Sequence, residues 1–278
     1  VLFRSALNEL FIGSEGTLGV VTRAWLKAHE VPAAERRAAY AFATFTDGIE
    51  ACRRILRRGA TPAVLRLYDA PESQRGQGAD GTYCVLLVLD EGDALMVDAT
   101  MRVVADECTG ARELDAELVE KWLHHRNDTS ALQALSRKGF VVDTMEIAAP
   151  WAALPRIFDD VRAAMLAVPH ARSSTCHLSH SYLDGACLYF TFAATPPADQ
   201  VDATYVALWD AGTRAVLAAG GNLSHHHGVG LNRGRFMAEA LGTAMPVLQA
   251  VKDALDPHGV LNPGKLGLRS PFGSEVWP

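Results

Sequence analysis

Two strand-like runs, 174–181 and 187–193, stand on either side of Tyr182-Leu183-Asp184-Gly185-Ala186. An Asp-Gly pair in so short a connection turns the chain back on itself, because glycine accepts the left-handed backbone that tight hairpin turns require. The two runs therefore pair antiparallel. The second, Cys187 to Ala193, is strongly apolar, so the sheet it enters needs a cover.

The rest of the chain supplies one. Residues 38–46 alternate large and small side chains as a half-buried strand does. A helix follows from Asp47, as N-cap, through Arg58, and Gly59 closes it. Strands are expected at 63–69 and 83–89, with a polar, Gly-rich surface loop at 74–82 between them, and an amphipathic helix at 93–108 carries Leu95, Val97, Met101 and Val104 near one face. The order strand, helix, strand, strand, helix predicts an α+β fold of the ferredoxin-like kind, an antiparallel sheet with covering helices. Residues 113–138 read as polar helix, with Trp122 and the His124-His125-Arg126 cluster exposed. Beyond them come a strand at 140–147, a helix at 155–167, the hairpin, a long helix at 199–219, a helical stretch at 233–255 and a turn-rich tail at 256–265. Near the start, Val20 to Leu26 reads as an apolar strand.

Charge and composition narrow the function. Twenty-six Lys and Arg face 32 Asp and Glu, for a net charge of −6, which offers no sequence-wide attraction to a phosphate backbone and excludes nucleic acid as the expected partner. No apolar run approaches the roughly 20 residues of a membrane-spanning helix. Five scattered cysteines without C-x-x-C spacing predict reduced thiols, a cytoplasmic protein and no zinc site. The chain opens on Val1, and Val1-Leu2-Phe3-Arg4-Ser5 back-translates into a common sequencing-adapter stretch. The expectation is a fragment whose first five residues are not natural protein.

Two stretches carry candidate chemistry. Leu223 to Gly230 reads Leu-Ser-His-His-His-Gly-Val-Gly, which places His225, His226 and His227 between a Gly220-Gly221 turn and a glycine pair. Residues 8–22 carry Gly13, Gly16 and Gly19 in a tight loop; glycines at this density let backbone N–H groups turn toward an anion or a flat ring. Read as a word, residues 13–22 (GSEGTLGVVT) resemble the last motif of the FAD-binding domain in flavoproteins of the vanillyl-alcohol oxidase and p-cresol methylhydroxylase type. The resemblance implies FAD as cofactor, met by Gly13, Ser14, Glu15, Gly16, Thr17, Leu18, Gly19, Val20 and, from the tail, Asn262. It also implies a division in which 1–30 is the end of the FAD-binding domain and 31–278 is the FAD-linked oxidase C-terminal, or substrate, domain with a flavin-proximal tail. Firm FAD binding then needs the rest of the flavin domain.

Within that fold, the metal-assisted 2-hydroxy acid dehydrogenases use two hairpin histidines and a glutamate from a later Glu-His-Gly loop. Here Tyr182 and Tyr189 stand at the hairpin positions and His226 replaces the glutamate. Phenols ionising near pH 10 are poor ligands for a divalent cation, so no metal is expected. The words 176–190 (CHLSHSYLDGACLYF) and 220–230 (GGNLSHHHGVG), with Arg66-Leu67-Tyr68-Asp69, resemble the alkyldihydroxyacetonephosphate synthase family instead. That resemblance implies alkyl-for-acyl exchange through a flavin–substrate adduct, in ether lipid synthesis, on a small-molecule or lipid-precursor substrate, and a possible homodimer. It makes Tyr182 the acid/base group, lines the pocket with His225, His226 and His227, and has Arg66 order it. On residue type alone, Arg66 either snorkels to a strand edge or points into a site, and His177 and His180 read as ordinary polar strand residues, with His180 able to face the pocket. One departure stands out: members carry an arginine seven residues before the glycine preceding the Val-Asp-Thr strand. Counting back from Gly139 lands on Leu132, with Arg126 and Arg137 out of register. An FAD-linked oxidase or dehydrogenase of 2-hydroxy acids and a non-catalytic remnant are the alternatives.

Overall fold

The computed structural model describes residues 7–128 and 130–273, with the side chains of residues 131 and 132 left undescribed. Val1 to Ser5 and the Leu132 side chain lie outside the described residues. The chain divides into two compact units, His29–Gly221 and Val1–Ala28 with Asn222–Pro278. In chain order the elements are α1 (Asn8–Phe11), β1 (Ala34–Phe42), α2 (Phe45–Arg57), β2 (Val64–Tyr68), α3 (Ala70–Gln77), β3 (Cys84–Gly92), α4 (Ala94–Glu107), β4 (Arg112–Leu114), α5 (Glu117–His125), α6 (Ser130–Arg137), β5 (Val141–Pro150), α7 (Leu154–Leu166), β6 (Ala171–Ser181), β7 (Gly185–Ala194), α8 (Val201–Ala218), α9 (Gly230–Gly234), α10 (Met237–Leu241) and α11 (Met245–Leu255).

The larger unit is built on a seven-stranded sheet of order β4-β1-β3-β2-β6-β7-β5, with every pairing antiparallel. The first four strands, in order 4-1-3-2, make one ferredoxin-like half, and β5, β6 and β7 repeat its first three in the order 2-3-1, joined edge to edge through β2 and β6. The α+β antiparallel fold expected from the strand and helix order is the one found. Most of the core lies between one sheet face and α2, α4, α7 and α8, where Phe190, Phe192, Leu67, Leu86, Ile157 and Met165 are fully buried. A smaller cluster on the other face packs Val85, Leu87 and Leu89 of β3 against Val119 of α5. Fully burying side chains of this size stabilises by roughly 1.5–3 kcal/mol each, which is why β3 and β7 read as near-continuous apolar runs.

Four local expectations are corrected. The N-cap of α2 is Thr44, whose hydroxyl accepts from the Asp47 N–H at 3.1 Å and donates to the Asp47 carboxylate at 2.7 Å; Asp47 is the acid of the first turn. Residues 70–77, partly read as loop, form α3, because Asp69 caps it, Pro71 sits in its first turn and Gly78 ends it at φ +68°. The stretch 233–255 is not one helix: it breaks at Gly234 and at Gly242, where φ is +49° and ψ −121°. Val20 to Leu26 pairs with no strand among the described residues and stays exposed, Trp25 at 83% and Leu26 at 89%. All five cysteines are free and buried. Among the described residues no helix is long and apolar enough to cross a membrane.

Candidate active site

A cavity of about 490 Å³ in the larger unit brings together Arg66 from β2, Trp122 and Arg126 from the end of α5, and Ser179, His180, Ser181 and Tyr182 from the end of β6. Arg66 and Tyr182, both expected in the site, therefore share one cavity. His180 lines it too. No carboxylate is among its described lining residues.

Arg66 is not snorkelling to a strand edge. Its Nη2 lies 2.6 Å from His177 Nε2, and His177 Nδ1 lies 2.8 Å from Glu72 Oε2. A guanidinium can only donate, so His177 Nε2 must accept and Nδ1 must carry the proton, which it donates to Glu72. The imidazole is neutral. Burial, reinforced by the Arg66 charge, holds its pKa below the ordinary 6.5 although Glu72 pulls the other way. Burial pushes the Glu72 carboxyl up, but His177, Thr175 and Arg75 outweigh it and keep the group below its ordinary value. The second Glu72 oxygen accepts from Thr175 Oγ1 at 2.9 Å, which in turn accepts from Arg75 Nη2 at 2.8 Å. The His177 ring is stacked on Tyr189, centroids 4.7 Å apart and planes 16° off parallel, and Tyr68 is on its other side at 5.3 Å.

This chain of polar contacts lies beneath the cavity floor, and the sheet register creates it: β2 pairs Tyr68 with His177, and β7 pairs Tyr189 with His177. Asp69 anchors the turn below, accepting from the N–H groups of Glu72 and Cys176, both at 2.9 Å, and burial raises its carboxyl to about 6. Neither Glu72 nor the central place of His177 was anticipated. The only sequence signal was the Asp69-Ala-Pro-Glu72 capping pattern, which marks a helix start and so turns Glu72 back toward the sheet.

Tyr182 is held by its backbone. Between Ser179 and Ser181 the β6–β7 register shifts, and His180 takes up the extra residue at φ +50°, a bulge of the sort that re-aims side chains beside sites. The Tyr182 N–H donates to Gly185 O at 2.8 Å, and Trp151 Nε1 donates to Tyr182 O at 3.0 Å. At Gly185 a Cβ would come within 2.2 Å of Ala149 O, so the turn admits only glycine. The Tyr182 ring is half exposed, at 49%.

His225, His226 and His227 belong to the smaller unit. His225 Nδ1 is 3.0 Å from His226 Nδ1, and the rings of His226 and His227 meet edge to face at 4.7 Å. One Nδ1 of the first pair donates and the other accepts. The end of this loop is tied to the glycine loop: Glu15 accepts from the Val229 and Gly230 N–H groups at 2.5 and 3.0 Å, and Asn262 Nδ2 donates to Glu15 O at 2.5 Å. Ser14, Thr17 and Leu18 are buried, with Thr17 Oγ1 donating to Ser14 O at 2.7 Å. Lys252 is 2% exposed and donates to Thr17 O, Asp256 Oδ2 and Leu261 O at 2.7, 2.5 and 2.6 Å. Gly13, Glu15 and Gly16 all have positive φ, and a Cβ on Gly13 would meet nothing within 4 Å. With Ile12 71% and Val20 76% exposed beside this open backbone, the loop suits a flat, partly apolar ring such as a flavin. Gly19 lies against Phe11.

Residues 31–266 match the family described as FAD linked oxidases, C-terminal domain. The alkyldihydroxyacetonephosphate synthase of Dictyostelium discoideum is 28% identical, over 93% of this chain and 48% of its own length. An uncharacterized FAD-linked oxidoreductase of Escherichia coli O157:H7 is 27% identical, over 94% and 57%. The chain thus spans about half the length of these curated relatives. A solved alkyldihydroxyacetonephosphate synthase shares the fold, with a TM-score of 0.70 and 23% identity over 95% of this chain and 50% of that one.

Proposed function

The chain belongs to the FAD linked oxidases through their C-terminal domain, and on that premise we propose that it forms the substrate-binding half of an FAD-dependent enzyme resembling alkyldihydroxyacetonephosphate synthase. In this reading the division at residues 1–30 and 31–278 separates the end of a flavin-binding domain from a substrate domain. Gly13 to Val20, with Asn262, would hold the flavin, which when bound supplies a ring able to take up and return electrons. Tyr182 acts as acid/base: as phenolate, with its own proton held by a neighbouring imidazole, it takes a proton from the substrate carbon and returns it to that carbon once the acyl group has left as carboxylate and the alcohol has joined, giving up its hydroxyl proton. A phenol serves as base at neutral pH when neighbouring groups accept its proton or stabilise phenolate. Arg66 supplies positive charge at the cavity wall, and His225, His226 and His227 manage the charge of the substrate and leaving carboxylate.

The observation that carries this reading is the meeting of Arg66 and Tyr182, from two different strands, on one cavity with no carboxylate in its described lining. The test is the full-length, FAD-loaded protein given acyl-dihydroxyacetone phosphate and a long-chain alcohol. Ether product equal to fatty acid released, with no reduction of an added dye, is expected. A second reading, an FAD-linked oxidase or dehydrogenase of 2-hydroxy acids, draws support from the 25% identity to D-lactate dehydrogenases of Danio rerio and Saccharomyces cerevisiae. Stoichiometric dye reduction by a 2-hydroxy acid, without ether formation, would establish that reading and defeat the first.

A further inference from the structure

Two guanidinium groups share one indole in the cavity. Arg66 Cζ lies 5.5 Å and Arg126 Cζ 5.4 Å from the centre of the Trp122 ring. A cation over an aromatic face gains roughly 0.5–1 kcal/mol at an exposed site, but two like charges at one ring repel. Proteins usually relieve such a pair with a carboxylate, and among the described residues none pairs with Arg66 or Arg126. Among the described residues Arg66 is bound only to groups without charge: the neutral imidazole of His177 at 2.6 Å and the rings of Tyr68 and Trp122. A second, independent observation sits beside this one. Arg66 Nε and Ser181 Oγ are both buried and lack a hydrogen-bond partner, and both residues line the cavity. Buried donors left unmade are costly, each by about 1–3 kcal/mol, and here both belong to residues of the wall that carries the unneutralised charges.

We infer that Arg126, Trp122, Arg66 and Ser181 form a subsite for an oxyanion headgroup, with Arg126 as its second gripping cation. The assignment rests on the substrate-binding reading of the cavity given above. Arg126 reaches the ring because α5 ends on it: Trp122 lies in the last turn of the helix and Arg126 is its C-cap, one turn on. The headgroup is a carboxylate or a phosphate monoester, since both present paired oxygens to guanidinium forks.

Binding and turnover separate the possibilities in the full-length, flavin-loaded protein. Inorganic phosphate and acetate are titrated by calorimetry into the wild type, R126A, R126K and R137A. R126A is expected to weaken anion binding about ten- to a hundredfold, the worth of one charge-assisted hydrogen bond. R126K should recover part of the loss and R137A should match the wild type. Tighter phosphate assigns a phosphate ester and tighter acetate a carboxylate. If neither anion binds the wild type, or if R126A binds both as the wild type does, the subsite is refuted. Anion binding that depends on Arg126 in a protein without exchange activity would sink the proposed function and leave the subsite standing. Exchange activity with a KM unchanged by R126A would do the reverse.

Discussion

Replacing Glu72 with Met tests whether the polar chain beneath the cavity is what aims Arg66. The wild-type carboxylate accepts two buried hydrogen bonds, from His177 Nδ1 at 2.8 Å and Thr175 Oγ1 at 2.9 Å. Thr175 has a fallback acceptor, Thr191 O at 3.3 Å. His177 has none in its present tautomer, and switching tautomer would point Nε2–H at the Arg66 donor 2.6 Å away. One orphaned buried donor therefore remains, at a cost of about 1–3 kcal/mol. With roughly 2–4 °C per kcal/mol for a domain of this size, a loss of about 2 kcal/mol lowers Tm by about 4–8 °C. Glu72→Gln is the control. Its amide oxygen can keep the His177 bond while its nitrogen donates to Thr175, so the cost stays at or below about 1 kcal/mol. Urea unfolding measures stability, and steady-state turnover gives kcat/KM, which Glu72→Met should lower about tenfold or more while Glu72→Gln holds most of it. Equal losses in the two variants, or a Glu72→Met protein as stable as the wild type, would refute the argument.

Acidification offers a separate check on His177. Its folded pKa is depressed, so the unfolded chain binds a proton first; stability is complete above about 6.5 and falls as the pH drops from there toward the folded value. Asp69, raised to about 6, works in the opposite sense and gains stability on acidification, but it is common to the wild type and His177→Asn, so the difference between their urea midpoints from pH 7 to 5 should narrow. Tyr182→Phe should reduce kcat about 10²- to 10⁴-fold, the usual worth of a general acid/base, with flavin content unchanged; near-wild-type turnover would remove Tyr182 from the chemistry. Gly185→Ala drives a Cβ into Ala149 O and should cost about 3 kcal/mol or more, read as lost Tm, since overpacking against rigid backbone leaves no easy relief. Lys252→Met strips the partner from Asp256, whose carboxyl is held at about 2 chiefly by that lysine. The wild type then keeps this contribution above about 4 and loses it toward pH 2, and the variant should weaken flavin retention and lose that acid-side dependence; unchanged retention would detach Lys252 from the glycine loop.

The antiparallel sheet was legible because its signals are local: an Asp-Gly turn, apolar β7, and helices bounded by Asp47 to Gly59, one turn short of the true Thr44 cap, and by Asp93 to Cys108. Tyr182 and Arg66 were legible as words. What escaped was set by pairing between distant strands. His177 looks like any polar strand residue until β2 and β7 bring Tyr68 and Tyr189 to either side of it, and Glu72 faces inward from a helix too short and polar to show periodicity. The strand expected at Val20 to Leu26 failed for a related reason: apolar content favours a strand, but a strand exists only where another offers it hydrogen bonds. Arg126 fell outside any register argument because distance along the chain does not measure distance to Trp122.

Lys252 has a topological consequence. Its ammonium spends its three protons on Thr17 O, Asp256 and Leu261 O, stitching residues before the large sheet unit to residues after it. In sequence terms, His29–Gly221 is an insertion into a smaller body made from the chain's two flanks, entered once and left once. A protease cut within 29–221 would leave the flanks joined by this buried cation and by Glu15, whereas trimming the chain before Lys252 would release the glycine loop from more than two hundred residues away. Shortening experiments should therefore be designed from the middle of the chain outward.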